Sequence, residues 1–220
     1  MFWPSEAGDG GALDMNAHSS KLTPRSWALS AAGWLALLGA AAFLYVVFAA
    51  TSKPPAQGYE RFAEGPLSRL EVLDDPPPQP PHPFTGPDGR STSLPQMRGE
   101  ILIVNYWATF CAPCRVEMPT LAALQERFGD QVRVAAISID EGTEADEARA
   151  MLAALTDGRL AFHHDISRWT HLDSRSGWLP LTIIYDRDGA ELARLAGDAD
   201  WSSPEAEGLI RAVVADHPPL

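Results

Sequence analysis

The stretch that decides the fold runs from residue 101 to residue 119: Ile101-Leu102-Ile103-Val104-Asn105-Tyr106-Trp107-Ala108-Thr109-Phe110-Cys111-Ala112-Pro113-Cys114-Arg115-Val116-Glu117-Met118-Pro119. Its first seven residues are a near-continuous apolar run, the pattern of a central strand buried on both faces. Beyond the cysteines, Leu121, Leu124 and Phe128 recur at i, i+3 and i+7 and predict a helix that ends near Phe128. A Cys-x-x-Cys pair where a buried strand passes into a helix has a direct chemical use. The first cysteine stands at the helix N-terminus, where unpaired backbone N–H groups and the helix dipole stabilise a thiolate. The second lies one turn on, placed to close a short disulfide and release a mixed-disulfide intermediate. Pro113 restrains the backbone between them and supplies no N–H.

From residue 83 to residue 216 the chain reads as alternating strands and helices. Gly86-Pro87-Asp88-Gly89 is a turn signal within a hairpin. Val132 to Ile139 is β-branched and apolar, a second central strand, and Thr143-Glu144-Ala145-Asp146 resembles a capping box opening a helix to Leu155. Leu179–Tyr185, the turn Asp186-Arg187-Asp188-Gly189 and Glu191–Leu195 predict a strand, tight turn and strand. Ser202-Ser203-Pro204-Glu205 then opens a last helix. Alternation of this kind implies an α/β domain with a mainly parallel sheet, to which the closing hairpin adds an antiparallel edge.

The chain has 220 residues and only two cysteines, both in this motif. A structural disulfide framework needs several cysteines spread along the chain, so that class is excluded. Structural zinc needs four ligands, and the remaining candidates, His163 and His164, are adjacent rather than spaced. Redox chemistry and Cu(I) binding remain, since soft thiolates suit Cu(I). For copper, Cys111 and Cys114 would be the ligands, with Met118 and His171 as conceivable additions. The formal net charge is −12, of which the first fifty residues carry −1 and the rest −11. Such an acidic part lacks the basic footprint that nucleic acid or an anionic lipid surface requires.

Trp27 to Ala50 is an uncharged run of 24 residues, enough to cross a bilayer as a helix. It is too long for a signal-peptide core, and Phe48-Ala49-Ala50-Thr51 is a poor cleavage site. A buried core helix would need a polar face, which this run lacks. The expected organisation is a cytoplasmic tail over 1–25, a transmembrane anchor over 26–50, a Pro-rich spacer over 51–82 and a globular domain over 83–220. Lys21 and Arg25 before the span favour a cytoplasmic N-terminus. Within the spacer, residues 65–73 read equally as a helical turn or a strand.

The motif NYWATFCAPCRVEMP, the segment GWLPLTIIYDRDG and the tail Gly197-Asp198-Ala199-Asp200-Trp201 resemble the thioredoxin superfamily, and within it the TlpA/ResA-type membrane-anchored disulfide reductases. The resemblance spans residues 80–216 and implies a thioredoxin-like fold, a central mixed sheet flanked by helices. By position it makes Cys111 the attacking thiol, Cys114 the resolving thiol and Pro180 the cis-proline facing the disulfide. Glu117 matches a carboxylate near the active site of such relatives, where burial would raise its pKa and let it shuttle protons; a helix-surface acid is the alternative. Asn105 occupies the place of a buried aspartate in thioredoxin itself, Trp107 is expected to pack below the motif, and Pro119 to kink the helix. Two departures, Phe110 before Cys111 and Leu181 after Pro180, bear on the substrate groove.

The implied activity is reduction of protein disulfides in the periplasm by a single-pass inner-membrane enzyme, with no cofactor beyond the Cys111–Cys114 pair and electrons from a membrane donor. The implied clients are haem-site cysteines of apocytochrome c or copper-site cysteines of oxidase assembly. A Cu(I) chaperone using the same cysteines, a disulfide-forming oxidase and a scaffold are the rival readings.

Overall fold

The computed structural model describes residues 33–34, 38–43 and 58–219. By its internal contacts the chain forms two units, Met1–Lys53 and Pro54–Leu220. In the first, residues 33–34 and 38–43 are helical, with Trp34, Leu38 and Phe43 exposed. The expected tail at 1–25 and the rest of the expected anchor at 26–50 lie outside the described residues. Among those described, no helix is long and apolar enough to cross a membrane.

The second unit is organised by an eight-stranded sheet in the order β1-β8-β7-β4-β5-β6-β2-β3. The strands are β1 (Leu70–Glu71), β2 (Phe84–Thr85), β3 (Ser91–Thr92), β4 (Ile101–Trp107), β5 (Val132–Ser138), β6 (Phe162–His164), β7 (Leu181–Tyr185) and β8 (Glu191–Ala196). All seven residues of β4 are buried, as its unbroken apolar run requires. It pairs in parallel with β5 and antiparallel with β7, so Tyr106 faces Ile137 on one side and Leu181 on the other. The sheet is therefore mixed, as the resemblance implies, but it is not mainly parallel: only β4–β5 and β5–β6 run parallel. The β7–β8 hairpin turns back to lie antiparallel against the central strand β4 rather than staying at an edge, and β1–β8, β2–β6 and β2–β3 are antiparallel too.

Four α-helices accompany it: α1 (Ala112–Phe128), α2 (Ala145–Thr156), α3 (Trp169–Asp173) and α4 (Pro204–Asp216). Helix α1 packs on β5 and α2, and buries Cys114, Met118, Leu121, Leu124 and Phe128 along one face. Pro119 lies inside α1, and Trp107 is fully buried at the end of β4. The Ser203 hydroxyl caps α4 by accepting from the Ala206 N–H at 3.2 Å. Near α2 the capping box forms earlier than the sequence suggests: Glu141 and Glu144 close it on a short 3-10 turn, and the helix proper starts at Ala145.

The segment read as a spacer enters the fold well before residue 83. Tyr59, Leu67 and Leu70 are buried in the core, and the short turns at Tyr59–Phe62 and Gly65–Leu67 pack on α4. Leu70 and Glu71 extend the sheet beyond β8 as its outermost strand. The physical reason is burial: one Leu or Tyr side chain removed from water stabilises by about 2 kcal/mol. Three such residues outweigh the extended preference of the surrounding prolines.

Candidate active site

The motif begins where β4 ends. After Trp107 the chain turns through Ala108–Phe110, and Cys111 becomes the N-cap of α1. The Cys114 N–H points to the Cys111 Sγ at 3.3 Å, so the first sulfur sits where the helix offers unpaired donors. Cys111 and Cys114 are joined as a disulfide across a Cα–Cα distance of 5.3 Å. Cys111 is 7% exposed and Cys114 is fully enclosed, so access from outside reaches the first sulfur only. Phe110 and Val116, adjoining the motif in sequence, and Trp178, near Pro180, are largely exposed.

Pro180 precedes β7, whose first residue Leu181 pairs with Tyr106. One register step further, Pro180 lies at the sheet end from which the motif departs. The Leu179–Pro180 peptide is cis, and the Pro180 carbonyl accepts from the Gly197 N–H at 2.8 Å.

Glu117 follows Cys114 by three residues on α1 and faces inward, 1% exposed rather than on the helix surface. Asn105 Nδ2 donates to its Oε1 at 2.7 Å, while the Ala199 N–H and Trp201 Nε1 both donate to its Oε2 at 3.2 Å. Burial raises its pKa from 4.5 to about 7, against the lowering effect of these three donors. The Asp198 charge adds to the rise. Asn105 also donates to Thr182 Oγ1 at 3.0 Å, and its own Oδ1 has no partner. A half-turn of that amide would present Oδ1 to a protonated Glu117, so the same residue can serve both protonation states.

A second buried carboxylate, Asp140, escaped the sequence reading. It lies two residues beyond the end of β5 and accepts from the Thr109 N–H at 3.0 Å, the Thr109 hydroxyl at 2.6 Å and the Ser138 hydroxyl at 2.8 Å. It thereby fixes the loop two residues before Cys111. The signal was weak, because Asp140-Glu141-Gly142 after a strand reads as an ordinary turn. Trp201 and Ala199 were equally hidden as partners of Glu117, being more than eighty residues away in sequence.

The conceivable extra copper ligands have other surroundings. Met118 is buried in the core, and the His171 ring packs on Tyr106 at 5.4 Å while its Nε2 donates to the Trp178 carbonyl at 3.1 Å. Among the described residues no group of three or more His, Cys, Asp or Glu side chains is placed to hold a metal.

Comparison with known proteins bears on the family and the fold. Residues 79–197, more than half the chain, match the AhpC/TSA family. The thiol:disulfide interchange protein HelX of Rhodobacter capsulatus is 32% identical over 134 residues, covering 61% of this chain and 66% of HelX. The thioredoxin-like protein YneN of Bacillus subtilis is 35% identical over 69 residues, but the match covers only 31% of this chain and 39% of YneN. The thiol-disulfide oxidoreductase ResA of Bacillus cereus is 26% identical, covering 57% of this chain and 70% of ResA. Among solved structures, one described as a DsbE thiol:disulfide interchange protein of Chlorobium tepidum superposes with a TM-score of 0.56 at 22% identity, covering 64% of this chain and 99% of that one. The thioredoxin domain of a thiol-disulfide oxidoreductase from Bacteroides vulgatus superposes with a TM-score of 0.53 at 18% identity, again over 64% of this chain and 99% of the other. These likenesses establish the thioredoxin-like fold, and by its sequence match this chain belongs to the AhpC/TSA family.

Proposed function

We propose that this chain is a membrane-anchored thiol–disulfide oxidoreductase that reduces disulfides of client proteins in an extracytoplasmic space. The observation that carries the reading is the order of groups along α1: Cys111 at the rim, Cys114 enclosed behind it, and Glu117 one turn further with its pKa near 7. Similarity to HelX and ResA, both named for thiol–disulfide chemistry, supports the reaction class.

The reaction starts from the reduced pair. The Cys111 thiolate attacks one sulfur of a client disulfide; that bond breaks, a mixed disulfide forms, and the departing client sulfur takes a proton from solvent. The Cys114 thiol then gives its proton to the Glu117 carboxylate, and its sulfur attacks Cys111 Sγ. The Cys111–Cys114 disulfide forms, and the second client sulfur leaves as a thiolate. Two electrons have passed to the client, and a dithiol donor in the membrane restores the pair. A carboxyl with a pKa near 7 takes and returns a proton at neutral pH with little driving force either way. Cys111, Cys114 and Glu117 are thus the catalytic residues, and Pro180 forms the wall beside which the client strand lies.

The uncharged run at 26–50 is the anchor, with the tail at 1–25 on the cytoplasmic side and the domain in the periplasm. The clients are haem-site cysteines of apocytochrome c or copper-site cysteines of oxidase assembly factors. Thiol alkylation in intact cells tests the direction: a mostly reduced Cys111–Cys114 pair is expected, and a mostly oxidised pair would reverse it. A Cys114→Ser variant should trap mixed disulfides with these clients. Trapping none would remove the reductase reading.

A further inference from the structure

Glu117 is held by parts of the chain that lie outside the family match. Two of its three donors, the Ala199 N–H and Trp201 Nε1, belong to the loop Gly197–Trp201 that follows β8. The Trp201 N–H ties the same loop to the Thr120 hydroxyl on α1 at 3.1 Å. From its other side the loop is gripped by Arg69, just before β1. The Arg69 Nη2 donates to the Asp198 carbonyl and lies 3.5 Å from the Asp198 carboxylate. Gly197 has φ +92°, and a Cβ there would meet the Arg69 guanidinium carbon at 3.0 Å, so the loop is shaped to let Arg69 close over it.

We propose that Arg69 is a positioning residue for Glu117: it holds the Gly197–Trp201 loop in the form that supplies two of the carboxyl's donors, and it neutralises Asp198, whose field reaches that carboxyl. The groups facing Glu117 are Asn105 from β4, with Thr182 of β7 behind it, and Ala199 and Trp201 from the loop. The charged one is Asp198, with Arg69 on its outer side. The proposal deepens the reading of Glu117 as proton carrier and rests on that reading only for its consequence. Arg69, within the segment read as a spacer, would then set the pH at which the buried carboxyl gives up its proton.

The two members of this ion pair should act in opposite directions. Arg69→Ala leaves Asp198 unneutralised and frees the loop, and both effects favour the protonated carboxyl. Asp198→Asn removes the unfavourable field, while Arg69 still grips the residue's carbonyl, which favours the ionised form. Both side chains are more than half exposed, so neither substitution opens the core. The test is a titration of the Glu117 carboxyl in the full chain, followed by carbon NMR of labelled glutamate or by its infrared carbonyl band, with Glu117→Gln assigning the signal. The expected shifts are about half a pH unit upward for Arg69→Ala and about half a unit downward for Asp198→Asn, the size appropriate to a partly screened charge. Shifts of the same sign, or none, would overturn the proposal while leaving Glu117's catalytic role untouched. Conversely, opposite shifts alongside a fully active Glu117→Gln would uphold the positioning role and remove the proton carrier.

Discussion

Glu117 and Asp140 are both enclosed carboxylates, and both act close to the cysteine motif, but their surroundings differ in kind. Asp140 stands two residues beyond the end of β5 and takes the Thr109 N–H, the Thr109 hydroxyl and the Ser138 hydroxyl. What it holds is backbone: the turn that delivers Cys111 to the start of α1. Glu117 takes donors from two separate places, Asn105 on β4 and the loop after β8, whose Ala199 amide and Trp201 indole both reach it, and these hold it in the interior. Its donors do not offset its desolvation, and its pKa rises to about 7. One carboxylate braces the loop before Cys111, and the other is the group proposed to carry the proton.

The largest expected effect separates them by pH. Glu117 binds its proton more tightly in the folded chain than in the unfolded one, where its pKa is the ordinary 4.5. Its contribution to stability is therefore fully present below about pH 4.5 and is lost as pH rises through about 7. The shift corresponds to about 3 kcal/mol. Denaturant unfolding of residues 54–220 across this range should show that much more loss in the wild type than in Glu117→Gln. Parallel curves would mean that Glu117 is not perturbed by burial.

Next comes catalysis. Glu117→Gln should slow resolution of the mixed disulfide about 100-fold near neutral pH, the usual scale of a lost general base. Asp140→Asn should leave that step within about threefold per folded molecule, because it touches neither sulfur. Stopped-flow release of a fluorescent thiol from Cys111 measures both. The Asp140 variant should instead lose about 2 kcal/mol of stability, since an amide NH₂ then confronts donors that had a carboxylate. If Asp140→Asn slowed the chemistry as much as Glu117→Gln, the division of labour drawn here would be wrong.

The sequence speaks clearly about one side of this comparison and barely about the other. β4, α1 and the β7–β8 hairpin are legible because unbroken apolar runs, helical spacing and Asp-Gly turn chemistry each act over a few neighbouring residues. Cys111, Cys114 and Pro180 share that stretch or carry a backbone constraint of their own. β2 and β3, two residues each, are legible only through the Gly86–Gly89 turn that joins them, while β1 with two residues and β6 with three are too short for any period to show. The core placement of Tyr59 and Leu67 was masked by surrounding prolines. Asp140 is recognisable only when Thr109, thirty-one residues earlier, is seen against it. The Arg69–Asp198 pair joins segments 129 residues apart. Sequence patterns record local geometry, whereas the proton site is assembled from distant pieces.

The smallest prediction sharpens the Glu117 side by removing one of those pieces. Trp201→Phe deletes the indole N–H that reaches Oε2 and leaves the Ala199 N–H in place. One such hydrogen bond is worth about 1 kcal/mol, so the carboxyl's pKa should climb by somewhat less than one unit. At about pH 7 a smaller fraction of Glu117 is then ionised, and resolution by Cys114 should slow about threefold. Raising the pH by about two units restores the carboxylate, so an electrostatic defect should disappear there. Trp201 is fully buried, and its replacement also leaves a small void, but a packing defect has no reason to vanish with alkali. A threefold loss that persisted at high pH would therefore assign Trp201 to the core alone, and Glu117 would lose one of the donors credited with tuning it.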